Sequence, residues 1–226
     1  AVDNISFTVG PGTVTGFLGP NGAGKSTTMR MIMGLDKPTT GTVTVAGKKY
    51  KDLNAPLCTV GALLDAKGLH GSQTARTHLT QLAVSNGIPV NRVDKVLDMT
   101  GLTSVAKKRV KGFSLGMGQR LGIAAALLGD PDILIFDEPV NGLDPEGVIW
   151  VRQICRSLAA EGRIVFISSH LMGEMAQTAD RLIVIGRGRI LSPGPVTDVI
   201  ASATTDKVRV ASPQATQLAE LLAHHK

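Results

Sequence analysis

The chain has 226 residues, 43% of them hydrophobic and 19% charged, which suits one domain with a real core and argues against disorder. Aromatic residues make up only 3%, so the core falls to Val, Ile, Leu, Ala and Met, and the scarcity argues against a ring platform for stacking single-stranded nucleic acid. The net charge of +6 fits either a solvated surface or attraction to an anionic ligand or membrane surface.

No stretch reaches the roughly 18–20 apolar residues that a membrane helix requires. The richest run, Ile123 to Leu128, is far shorter, so no direct span is expected and any membrane role passes through a partner. Cys58 and Cys155 stand in no metal-ligand spacing and read as two buried, reduced thiols. Both ends read as cut. The chain opens on a strand pattern, Ile5 to Val9, and closes on an apolar helical pattern, Leu218 to Ala223.

Val14 to Leu18 is a short apolar run ending in glycine, as expected of a buried strand feeding a loop. A helix follows over Thr27 to Met33, with Gly34 as its C-cap and Pro38 preventing continuation. Thr42 to Ala46 alternates polar and apolar residues like a half-exposed strand. Amphipathic helices are predicted over Thr74 to Asn86 and Arg92 to Met99, and a third over Gly118 to Leu128. Residues of about 70–130 thus form a helical block inserted between two strand-rich regions. Ile133 to Phe136 reads as a strand buried on both faces. Glu146 to Ala160 is helical, Arg163 to Ser168 and Leu182 to Ile185 are strands, and Arg187-Gly188 turns a hairpin over 182–191. The alternation predicts an α/β fold with a mostly parallel sheet and helices on both faces.

Two segments carry chemistry. Gly19, Pro20, Asn21, Gly22, Ala23, Gly24, Lys25 and Ser26 fit the phosphate-loop pattern G-x-x-x-x-G-K-[ST] without a gap, and Thr27 continues it. Its glycines let backbone N–H groups converge on phosphate oxygens, and the following helix points its N-terminal dipole at the same anion. Lys25 adds a cation for the β- and γ-phosphates, and the Ser26 hydroxyl is a Mg2+ ligand. Downstream, the Ile133 to Phe136 strand delivers Asp137 and Glu138 to the carboxyl edge of the sheet. There Asp137 is placed to hold Mg2+ through its waters, and Glu138 to act as general base on an attacking water. ATP or GTP is the expected ligand.

With these motifs the chain resembles the ATP-binding cassette family, the ATPases of ABC transporters, over nearly its whole length. Phe113-Ser114-Leu115-Gly116-Met117-Gly118-Gln119-Arg120 resembles the family signature, Asn141 to Asp144 its D-loop, and His170 its switch histidine. The resemblance implies a P-loop NTPase fold with an antiparallel β subdomain and an inserted helical subdomain, all one domain over 1–226. It implies ATP and Mg2+, a head-to-tail dimer, and hydrolysis coupled to transport. Ser114 and Gly116 would contact the γ-phosphate in trans, although Ser114 also reads as a plain N-cap. Asp144 would act across the dimer, and His170 would hydrogen-bond the γ-phosphate and help position the water. Asp65 stands at the position of the glutamine that usually touches Mg2+, and a non-ligand role is equally open. The aromatic that stacks on adenine would precede residue 1.

Leu115 and Met117 replace the commonest Gly and Gln of the signature, and Gly118 replaces a basic residue. The first two substitutions resemble the subgroup that exports drugs and antibiotics. The implied partners are a membrane-embedded permease and a second ATP-binding subunit, at the cytoplasmic face of the membrane, with no nucleic acid. The alternative is a soluble, non-transport ATPase of the same family, working in translation or on chromosomes.

Overall fold

The structure is a computed structural model and describes residues 2–64, 71–203 and 214. One six-stranded sheet runs in the order β2-β3-β4-β1-β5-β6. Its strands are β1 (Val14–Leu18), β2 (Val60–Leu63), β3 (Ile133–Phe136), β4 (Ile164–Ser169), β5 (Arg181–Gly186) and β6 (Arg189–Pro195). All pairs are parallel except the edge hairpin β5–β6. Its two-residue turn has Arg187 at φ 49° and Gly188 at φ 79°. Positive φ at both positions matches the right-handed twist of the flanking strands.

The strands are apolar because helices cover both faces. Phe17 and Leu18 show how the pleat divides them. Leu18, Leu134, Phe136, Val165 and Ile167 enter the larger core. Phe17, Ile135, Phe166 and Ile183 enter a second core with Met29 of α1 (Lys25–Ile32).

Segment 5–9 has the period-2 burial of a strand but forms no ladder: Ile5, Phe7 and Val9 are half-buried, Ser6 and Thr8 exposed. Phe7 lies instead over the sheet face, with its ring 5.7 Å from Phe17 and 5.8 Å from Phe166. The strand expected over Thr42 to Ala46 shrinks to one antiparallel bridge, Val45 to Lys48. Ala46 at φ 49° and Gly47 at φ 75° turn the chain before a ladder can extend. Antiparallel pairing in the described residues is therefore concentrated in the β5–β6 hairpin.

Between β2 and β3 lie α3 (Ala75–Ser85), α4 (Asn91–Met99) and α5 (Leu115–Leu127), which pack on one another; a short α2 (Pro56–Thr59) precedes β2. α5 begins three residues before the expected start. The Ser114 hydroxyl accepts from Met117 N–H at 3.2 Å, so Gly116 falls inside the helix rather than ahead of it, and Gly118 inside it rather than at its start. The far end of α5 lies against β2, where a Cβ on Gly61 would meet the Ala126 carbonyl at 2.0 Å. Beyond β3 come α6 (Pro145–Ala160), α7 (Met172–Thr178) and α8 (Val196–Ala203). No helix among the described residues is long and apolar enough to cross a membrane. The Leu218 to Ala223 pattern lies outside them.

Only one of the two cysteines is buried. Cys155, on the inner face of α6, is fully enclosed, and burial pushes its thiol up to about 12. Cys58, on the short α2, is exposed, which corrects the expectation of two buried thiols. On this one-turn helix Leu57 is the side chain that packs against the core, which leaves its neighbour Cys58 facing out. Maleimide should therefore label one thiol per native chain, at Cys58, and a second only in denaturant. Rapid native labelling of both, read by intact mass, contradicts the burial of Cys155.

Candidate functional site

β1 is buried along its whole length, and Gly19 closes it. No larger residue fits there: a Cβ on Gly19 would lie 2.2 Å from the Ile185 carbonyl of β5. Pro20, Asn21 and Gly22 are exposed, and Ala23 turns back under them, its N–H bonded to the Pro20 carbonyl at 3.1 Å. Gly24 then takes φ 111° to start α1. The first turn of α1, from Lys25, Ser26 and Thr27 onward, has no capping side chain and no acidic residue, so its free N–H groups and dipole suit an external anion.

The register of the sheet brings the second motif to the same place. Phe136 pairs with Ile167 of β4, and Ser169 pairs with Leu18 of β1. Residues just past β3 therefore sit beside the end of β4, which in turn flanks the loop after β1. Lys25 is buried, and its Nζ donates to the Gly19 carbonyl at 2.7 Å. The same Nζ lies 3.2 Å from Glu138 Oε1. That carboxylate oxygen is buried and has no aligned hydrogen-bond donor, so the contact is one of charge rather than a formed hydrogen bond. Glu138 Oε2 lies 2.9 Å from His170 Nδ1. The structure thus gathers Lys25, Asp137, Glu138 and His170, from the ends of three strands.

Three sets of contacts here escaped sequence reasoning. The Ser168 hydroxyl donates to Asp137 Oδ1 and accepts from the Glu138 N–H at 2.9 Å. Gln119 Nε2 donates to the Glu138 carbonyl at 3.2 Å. The Lys25–Glu138 ion pair is the third. A polar residue closing the apolar run Ile164 to Ile167 was the available signal for Ser168. Nothing in spacing alone could have paired Gln119 with Glu138, nineteen residues on.

Ser114, Gly116 and Asp144 are not part of this group. Ser114 caps α5, and Asp144 caps α6 by accepting from Gly147 N–H at 2.9 Å. Gly116 lies against Leu143 of the same loop. Among the described residues no hydrogen bond or ion pair joins these three to the phosphate loop. Asp65 lies outside the described residues.

The family model described as "ABC transporter" matches residues 2–141. The chain belongs to the ABC transporter family. It is 44% identical over 86% of its length to the bacitracin transport ATP-binding protein of Bacillus licheniformis, covering 65% of that protein. It is 36% identical to the lantibiotic transport ATP-binding protein of Streptococcus pyogenes, over 84% of this chain and 82% of that one. The chain spans about two thirds of the length of the bacitracin relative. Among solved structures, cbiO1 from Clostridium perfringens, part of the ABC transporter complex cbiONQ, aligns with a TM-score of 0.77 at 28% identity. That alignment covers 90% of this chain and 85% of cbiO1. A mostly parallel sheet with an antiparallel edge and a P-loop helix is thus shared with this family.

The closeness of β1 to β5 at Gly19 gives a direct check. Gly19→Ala should destabilise the fold by about 1–3 kcal/mol, because the backbone carbonyl of Ile185 must move. Urea unfolding measures this, and an unchanged midpoint contradicts the close approach.

Proposed function

We propose that this chain is the ATP-binding and ATP-hydrolysing part of a membrane exporter of drug- or antibiotic-like compounds. The observation that carries the reading is the meeting of Lys25, Glu138 and His170 at the mouth of the phosphate loop. The substrate class rests on the bacitracin and lantibiotic transport relatives and on the Leu115 and Met117 variants of the signature.

In this reading the backbone of Gly19 to Thr27 cradles the phosphates and Lys25 neutralises them. Mg2+ suits the donors present, a free hydroxyl on exposed Ser26 and the carboxylate of half-buried Asp137, since Mg2+ keeps waters and takes few protein ligands. Ser26 and Asp137 would hold the ion together with the nucleotide, as Mg2+ bound through few protein ligands and substrate phosphates requires. Asp65, outside the described residues, stands where the family's glutamine usually touches Mg2+, and a ligand and a non-ligand role are equally open to it. When bound, the ion offsets the charge that develops on the β- and γ-phosphates.

The Lys25–Glu138 contact suggests how binding primes the base. Incoming phosphates compete for Lys25 Nζ and draw it from Oε1. The released carboxylate is then free to accept a proton from water as that water attacks the γ-phosphorus, the bond from phosphorus to the β–γ bridging oxygen breaking so that ADP leaves. His170 Nδ1 holds Oε2 so that the carboxylate does not swing away.

Ser114, Gly116 and Asp144 are assigned to the partner's nucleotide. Ser114 and Gly116 present the start of α5 to the γ-phosphate bound by a second subunit, and Asp144 organises the two sites across the interface. The chain forms a single ATPase domain, with residues of about 70–130 as a helical subdomain. It acts at the cytoplasmic face of the membrane, docked on a permease subunit. ATP binding closes the dimer and hydrolysis reopens it.

Glu138→Gln tests the assignment. ATP binding should persist or tighten, because the competing charge on Lys25 is removed, while hydrolysis falls roughly 10²–10⁴-fold. An ATP-bound dimer should then accumulate in light scattering. Hydrolysis at the wild-type rate contradicts the role of Glu138.

A further inference from the structure

Glu138 has φ 49°, a left-handed backbone that a residue with a side chain rarely adopts. Such a conformation persists only where neighbours hold it. Here one side chain holds each flank of the residue. The N–H donates to Ser168 Oγ at 2.9 Å, and the carbonyl accepts from Gln119 Nε2 at 3.2 Å. Ser168 is fully buried and Gln119 is 5% exposed.

Gln119 is out of character for its place. It lies on α5 among buried Leu121, Gly122, Ile123 and Ala124, where an apolar residue would fill the space at no cost in desolvation. Its amide finds its partner in the Glu138 carbonyl. The same helix grips the loop after Glu138 a second time, four residues earlier. The Leu115 side chain covers Gly142 so closely that a Cβ there would lie 2.0 Å from Leu115 Cδ2.

We propose that Gln119 is a positioning residue for the hydrolytic step, fixing the Glu138 backbone so that the carboxylate stands between Lys25 and His170. Because α5 starts at the Ser114 cap, a shift of that helix is passed to Glu138 through this bond. The inference rests on the reading of Glu138 as the base.

Gln119→Met keeps the length of the side chain and removes the donor. It should lower kcat for ATP at least tenfold, with KM within twofold of wild type and an unchanged melting temperature. A purely structural role would instead lower the melting temperature and weaken nucleotide binding along with turnover. In a Glu138→Gln background the same change should lower the residual rate less than twofold, since the group being positioned is already gone. A further tenfold loss in that background, or a single variant with kcat within twofold of wild type, overturns the proposal. If Gln119→Met does not fold, Gln119→Glu is read by the same criteria, because its carboxylate matches in size and cannot donate when ionised. The two levels fail separately. Wild-type turnover by Glu138→Gln alone removes the base assignment, whereas an impaired Glu138→Gln beside a fully active Gln119→Met removes only the positioning role.

Discussion

The parallel register of three neighbouring strands is the constraint on which the site depends. β3, β4 and β1 run side by side and end at one edge. Their last residues release Asp137 and Glu138, then Ser168 and His170, then the phosphate loop and Lys25. Lys25 stands more than a hundred positions from Glu138, and Ser168 and His170 stand 31 and 32 positions from their acidic partners, yet all lie within hydrogen-bond or ion-pair distance. A slip of one residue in any of these pairings would exchange the strand's side chains between the two cores and carry its end out of step with its neighbours, losing the site.

The edge alone does not set the carboxylate. Its left-handed backbone is held by Ser168 from the sheet and Gln119 from the helical block. The block is tied to the sheet at its other end as well. Arg92 of α4 donates to the Leu127 and Leu128 carbonyls at the end of α5 and lies 3.3 Å from Asp130. Asp130 also meets Arg163, just ahead of β4, at 2.9 Å. Burial works against the Asp130 charge, but the two guanidinium groups outweigh it and hold the carboxyl below its usual range. α5 is thus anchored at both ends, which is what a helix must be if it is to pass a movement on to Glu138.

Much of this was legible in the sequence because the signals were strong and local. The gapless phosphate loop and the four apolar residues ahead of Asp137 left little freedom in where those groups would sit. The start of α5 was read three residues late even though Ser114 also read as its N-cap, since Gly116 and Gly118 are poor residues for a helix interior. The segments 5–9 and 42–46 have strand-like patterns, but a ladder needs a neighbour, and none is predictable from alternation. The exposure of Cys58 was misread for a similar reason: cysteine is usually buried, and which side of α2 meets the core was not visible. The bonds of Ser168 and Gln119 are long-range and follow only from the assembled fold.

Within one chain, Ser114 and Asp144 serve as helix caps, apart from the cluster around Lys25. Sharing of sites between two subunits is therefore the central functional claim, and subunit complementation tests it most directly. Lys25→Ala removes a chain's own phosphate site, and Ser114→Arg blocks the surface it offers to a partner. Each variant alone should be inactive as an ATPase, while an equal mixture should recover activity, because the mixed dimer contains one site with both halves intact. A mixture that stays at the sum of the two separate rates would contradict shared sites.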